Sequence, residues 1–196
     1  MPRLFVALPI GRDVVQELAG VGSTLREATA GSSATRDLRA WRWVRPESMH
    51  LTLAFLGDVA EHRVGVAGNA LRRSVEGMPE LNLAATGIGA FPHLDRARVL
   101  WAGVKGDLRH LRELQSVVAA ALRQMGLPID DRPFHPHITL ARARSPWPLP
   151  DGLDRSMSFG TWRAGEVILY ESRTEPAGAR YVVRAAAVLG GGTGSA

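Results

Sequence analysis

Two tetrapeptides of one type, His50-Leu51-Thr52-Leu53 and His137-Ile138-Thr139-Leu140, stand one in each half of a 196-residue chain, and they restrict its fold more than any other feature. Each reads as a strand with alternating polar and apolar residues. Successive strand side chains point to opposite faces, so His50 and Thr52 share one face while Leu51 and Leu53 enter a core. The same parity joins His137 to Thr139, with Ile138 and Leu140 behind. A fold that uses both strands must bring two imidazoles and two hydroxyls to one cavity.

The surrounding pattern is α+β. Residues 3–8 read as a short buried strand, after which Asp13 caps a helix with Val14, Leu18, Val21 and Leu25 inward. Residues 31–36 lack periodicity and read as an exposed loop, and an extended segment from Trp41 to Val44 ends at Pro46. The strand at 50–56 is followed by a helix that Asp58 begins, with Val64, Ala67, Leu71 and Val75 inward, closed by Gly77 and Pro79. The second half repeats this order. Strands near 81–88 and 98–104 precede a helix capped by Asp107, with Leu108, Leu111, Leu114, Val118, Leu122 and Met125 on its apolar stripe. After the strand at 137–142 come a loop with Pro146, Pro148 and Pro150 and strands near 165–170 and 180–188. A helix packed on a few strands in each half predicts two similar lobes facing across a cleft. They form one unit over 1–189, with 190–196 a flexible glycine-rich tail.

Composition narrows the chemistry. With no cysteine, disulfides, thiolate nucleophiles and Cys-ligated metals are excluded. No apolar run reaches the roughly 18 to 20 residues of a membrane span, and Pro9 cuts the opening apolar run short, so a cytoplasmic protein is expected. The net charge is +5 and Lys105 is the only lysine, so the positive charge is almost wholly guanidinium, which suits bidentate phosphate binding. A GC-rich genome also yields such an Ala-, Gly- and Arg-rich chain; the charge permits nucleic acid as a partner without requiring it.

In-line displacement at phosphorus needs a base for the attacking water on one side and an acid for the departing oxygen on the other, and imidazole serves as either near neutral pH. Two opposed histidines supply both, and threonine hydroxyls can donate to non-bridging oxygens without a metal. A lone His-x-Thr strand is usually structural; two in matching places are not. The competing arrangement is a zinc site of His135, His137 and His50, which Pro136 constrains and which would leave the threonines idle. His62, His93 and His110 read as surface residues and His135 as a loop residue. Phe5, Trp43, Phe91, Phe134 and Trp147 are candidates for stacking on a base, though such residues more often pack a core. Arg36 and Arg39 place positive charge on the loop before Trp41.

An ordered series of segments resembles the RNA 2′,3′-cyclic phosphodiesterases of the LigT-like, two-histidine phosphoesterase superfamily. The series starts with Arg3-Leu4-Phe5-Val6-Ala7-Leu8-Pro9 and the run from Trp43 through Pro46-Glu47-Ser48-Met49 to Gly57. It continues with Arg98 to Val104, Phe134-His135-Pro136-His137-Ile138-Thr139-Leu140-Ala141-Arg142, and Leu169-Tyr170-Glu171-Ser172 with Tyr181. The resemblance implies a bilobal α+β fold whose two antiparallel sheets form a V-shaped cleft with helices outside. It implies cyclic-phosphate hydrolysis at RNA ends or on small cyclic nucleotides. With no thiolate and no carboxylate near either motif, no cofactor or metal is expected, and as nothing in the sequence requires a dimer, a monomer is expected. The near-symmetric motifs leave the division of roles open. The resemblance assigns His50 as acid and His137 as base, with Thr52 and Thr139 on the phosphate and Arg142 on a phosphate or the backbone. Strict parity puts Arg142 on the face opposite His137, so that contact requires a bend or bulge in the strand. Other small cyclic phosphates, 2′-5′ RNA ligation, and an RNA-end binder without turnover are the alternatives.

Overall fold

The computed structural model describes residues 1–28, 41–147, 156–175 and 178–191. Among these residues nine strands and three α-helices make an α+β fold. The strands are β1 (Arg3–Pro9), β2 (Trp41–Trp43), β3 (His50–Asp58), β4 (Leu81–Phe91), β5 (Ala97–Gly106), β6 (His137–Trp147), β7 (Ser158–Ala164), β8 (Glu166–Glu175) and β9 (Gly178–Val188). The helices are α1 (Arg12–Ala28), α2 (Glu61–Ser74) and α3 (Leu108–Gln124).

Two antiparallel leaves compose the sheet. One runs β9-β8-β1-β3 and the other β6-β5-β4-β7, with β2 also paired to β6. They meet at a single ladder pair, Leu51 with Ile138, so the two His-x-Thr strands form the crease between them. Both residues at the crease are fully buried. Beyond it β3 leaves β6 to pair with β1, and β2 takes the vacated edge, with the Val44 N–H donating to the Leu140 carbonyl at 2.8 Å.

The lobes are not the two halves of the sequence. Strands β8 and β9 come from the C-terminal part but complete the leaf of β1 and β3. Helix α1, from the first half, packs on β7 of the other leaf; α3, from the second half, packs on β3 and α2, which lies on β9. The apolar stripes are as expected: Val14, Leu18, Val21 and Leu25 of α1 and Leu111, Leu114, Val118 and Leu122 of α3 are all at most 2% exposed. Periodicity identifies which face of a helix is buried, not which sheet buries it.

Other boundaries moved for local reasons. Asp58 does not cap α2; its backbone pairs with Arg3 at the end of β3, and the helix starts at Glu61 after Ala60. Asp107 occupies the N-cap of α3, but its carboxylate accepts from the Asn82 backbone N–H at 2.8 Å, tying the helix start to β4. Met125 is 44% exposed because the chain leaves the helix through Gly126 at φ +66°, and Leu127 enters the core in its place, its N–H donating to the Leu122 carbonyl. Strand β7 had no counterpart in the sequence pattern. Gly160, at φ +95°, breaks its alternation, so Phe159, Trp162 and Ala164 are buried at uneven spacing. The loop of residues 31–40, with Arg36 and Arg39, together with Pro148, Pro150 and the tail from 192, lies outside the described residues; Gly190 donates its N–H to the Met78 carbonyl.

Candidate active site

The crease decides the site. Antiparallel running through Leu51 and Ile138 directs His50 toward Thr139 and Thr52 toward His137, so each imidazole is set near the hydroxyl of the other strand. A cavity of about 130 Å³ at this point is lined by Phe5, Ser48, His50, Thr52, Phe55, Thr139, Arg142 and Tyr181, among others. The structure thus brings His50, Thr52, Thr139 and Arg142 to one cleft wall, with His137 close enough for its charge to act on His50.

Both rings are held by the same device. His50 Nδ1 donates to the Ser48 carbonyl at 2.8 Å and His137 Nδ1 to the His135 carbonyl at 2.6 Å, each to the residue two positions earlier. A carbonyl only accepts, so each bond fixes the proton on Nδ1 and leaves Nε2 for proton exchange. Aromatic rings then fix the planes. Phe5 and Tyr181 lie 4.8 and 5.2 Å from the His50 ring, and Phe91 lies edge-on to His137 at 5.1 Å. Gly103 is the ladder partner of His137, and a Cβ there would meet the Thr86 carbonyl oxygen at 2.8 Å.

The bulge that Arg142 requires is present, and it is duplicated. Along β5 and β6, Leu100 pairs with Ala141 and Trp101 with Thr139, which leaves Leu140 as the extra residue. Along β1 and β3, Val6 pairs with Ala54 and Ala7 with Thr52, which leaves Leu53. Leu140 and Ala141 are both buried, as are Leu53 and Ala54, so parity is reset after the fourth residue of each motif. The sixth residue therefore returns to the cleft face. It is Arg142 on one strand and Phe55 on the other, and both line the cavity.

Charge in the cleft is one-sided. Burial is the largest cause that lowers the His50 pKa, to about 4; the Ser48 bond opposes it, and Arg142 and His137 add to it. Burial also lowers His137, again opposed by its backbone bond and assisted by Arg142. Both imidazoles are thus neutral at pH 7 before an anion binds. Burial raises the Tyr181 pKa, so its hydroxyl keeps its proton.

Among the described residues no group of three His, Cys, Asp or Glu side chains could hold a metal ion; His50, His135 and His137 do not form such a set. A second hollow of about 370 Å³ lies outside the cleft between α2 and β9, lined by Glu61, Asn69, Arg72 and Arg184 among others. Its Arg184 is bound to Glu61 and Glu171, so this hollow is an ion-paired seam. Of the aromatic candidates, Phe5 and Phe91 adjoin the histidines, whereas Trp43 faces α1, where a Cβ on Gly22 would meet its ring at 3.2 Å. Phe134 packs on the core, and the Trp147 side chain lies outside the described residues. Sequence reasoning missed Phe55 and the Ser48 and His135 carbonyls. Aligning the motifs as hexapeptides, His-Leu-Thr-Leu-Ala-Phe with His-Ile-Thr-Leu-Ala-Arg, exposes the first of these.

A bilobal sheet with one His-x-Thr strand from each leaf is the architecture of a two-histidine phosphoesterase. The chain belongs to the LigT-like phosphoesterase family, whose model matches residues 18–101 and 104–181, a span that includes both motifs. It is similar to the RNA 2′,3′-cyclic phosphodiesterase of Aeropyrum pernix, 36% identical over 124 residues that cover 63% of this chain and 69% of that one. The proteins of the same name from Aquifex aeolicus and Methanothermobacter thermautotrophicus are 33% and 28% identical, covering 76% and 91% of this chain and 82% and 94% of their own length. Among solved structures, TT0787 of Thermus thermophilus superposes with a TM-score of 0.72 at 28% identity, covering 95% of this chain and 97% of that one. E. coli LigT complexed with 3′-AMP shares the fold, with a TM-score of 0.76 at 24% identity over 96% of this chain and 98% of that one.

Proposed function

We propose that this chain is an RNA 2′,3′-cyclic phosphodiesterase that opens a terminal cyclic phosphate to a 2′-phosphomonoester. The observation that carries the proposal is the matched pair of Nδ1–carbonyl bonds, which leaves one free Nε2 on each side of the crease. His137 Nε2 takes a proton from water as its oxygen attacks phosphorus. The bond from phosphorus to the 3′ oxygen breaks, and His50 Nε2–H gives its proton to that oxygen. Thr52 and Thr139 donate to the non-bridging oxygens, and Arg142 offsets their charge. The assignment of His50 as acid rests on the family's chemistry; the geometry is compatible with either direction.

Binding of the anion supplies the protonated imidazole. A cyclic phosphate monoanion between the rings favours the charged form and opposes the burial that keeps both neutral in the free protein. The cleft carries no carboxylate among its lining residues to repel that anion. No helix among the described residues is long and apolar enough to cross a membrane; we place its action in the cytoplasm, as a monomer.

Phosphorus NMR of the product tests the proposal, with a cyclic-phosphate oligoribonucleotide and a 2′,3′-cyclic mononucleotide as substrates, in EDTA. A 2′-phosphate is expected. A predominant 3′-phosphate would reverse the roles of the two ribose oxygens, and activity that vanished in EDTA and returned with zinc would replace two-histidine catalysis by a metal site.

A further inference from the structure

Strand β2 gives only three residues to the sheet, and the middle one, Arg42, pairs directly with Arg142 of β6. Opposed residues of an antiparallel pair project to one face with Cβ atoms about 4.5 to 5.5 Å apart, so two guanidinium stems start side by side at the cleft. The neighbours of Arg42 point the other way: Trp41 is buried and the Trp43 ring rests against α1. On β6, Ala143 packs on the core between Arg142 and Arg144, which puts these two arginines on the outward face together. The strand begins at His137, so the row runs from the imidazole through Thr139 and Arg142 to Arg144, with Arg42 alongside.

Like charges set directly across a ladder cost stability. Among the described residues no carboxylate relieves Arg42, Arg142 or Arg144, whereas Arg123, Arg173 and Arg184 each have an acidic partner. A single cyclic phosphate occupies Arg142 and the threonines and has no second phosphate for the rest of the row. A polynucleotide has one at every residue.

We propose that Arg42 and Arg144 extend Arg142 into a track for the phosphodiester backbone behind the cyclic end, making single-stranded RNA a better substrate than the free cyclic mononucleotide. This rests on the function proposed above and adds its substrate class. Guanidinium groups on exposed strand positions hold phosphate oxygens in pairs, without reading bases.

The test is the R42Q/R144Q double variant, assayed on a cyclic-phosphate oligoribonucleotide and on a 2′,3′-cyclic mononucleotide across a salt series. The ratio of kcat/KM for the oligonucleotide to that for the mononucleotide should fall about tenfold. The salt slope on the oligonucleotide should become shallower by about 0.7 for each arginine removed. Equal losses on both substrates would reduce Arg42 to a support for Arg142, and an unchanged ratio and slope would remove the track; either overturns the proposal. If the wild-type protein opens neither substrate, the proposed function fails, and binding of the same oligonucleotide ending in a 3′-phosphate still decides the track: equal salt slopes for wild type and double variant would overturn it. R42Q alone removes an opposed charge, so its Tm should match or exceed wild type; a clear drop would make Arg42 structural and also overturn the proposal.

Discussion

Strands β3 and β6 carry the same six-residue pattern and bulge it at the same leucine, yet they present different sixth residues to the cleft, Phe55 from one and Arg142 from the other. The environments diverge with them. Phe55 lies under the Arg3 guanidinium at 5.0 Å, and the adjoining His50 is enclosed by Phe5 and Tyr181; His137 stands beside Phe91, with Trp101 at 6.3 Å. The shared features place two imidazoles and two hydroxyls about one crease. The differing ones give the cleft a direction, because the Arg142 guanidinium lines the cavity itself, whereas that of Arg3 is stacked on Phe55 and lies outside the lining.

The largest expected effect tests the shared half. Replacing either His50 or His137 by Ala removes one of two separate proton transfers, and kcat should fall by on the order of 10² to 10⁴ with the far-UV spectrum unchanged. Near-wild-type turnover in both variants would end the comparison, since neither strand would then be catalytic.

Arg142→Phe makes the two motifs alike at the sixth position. Losing a charged donor to phosphate should lower kcat/KM by about 10². The variant also sharpens the electrostatic argument: Arg142 lowers the pKa of both histidines, so its removal should move the limbs of the kcat/KM profile to higher pH. Limbs that stay in place would show that Arg142 does not act on the pair.

Thr52→Val and Thr139→Val should each cost roughly 1.5 to 3 kcal/mol of transition-state binding, about ten- to hundredfold in kcat/KM. Equal losses would mean that the two strands hold the phosphate evenly; a larger loss for Thr139, on the strand of Arg142, would mean that the charged side carries it.

The smallest effect is on stability. His50 has a folded pKa of about 4 against an ordinary 6.5, so between those values the unfolded chain binds the extra proton. Its contribution is therefore stability present above pH 6.5 and lost as pH falls toward 4. His50→Gln should lose less Tm than wild type across this window. An identical acid slope in calorimetry would mean that His50 is as solvated as in the unfolded chain.

The residue alternation around His50 and His137, and the apolar stripes of α1 and α3, were legible because local periodicity depends on neighbours a few residues away. Parity even showed that Arg142 needs a bulge to share a face with His137. The location of that bulge was not legible: whether Leu140 is paired or extra is settled by the register against β5, a strand some forty residues earlier. The Gly160 break that hid β7 is local, but its strand exists only by pairing with β4.

By itself the sequence determined two His-x-Thr strands with apolar backs, the absence of thiol chemistry and a guanidinium-rich surface, all consequences of side-chain identity and short-range spacing. Tertiary structure alone decided that the strands meet at one pair, that α1 packs on β7 of one leaf and α3 on β3 of the other, and that Arg42 faces Arg142. Each of these is a pairing between residues distant in sequence. Pattern shows which face must be covered; only the folded register selects what covers it.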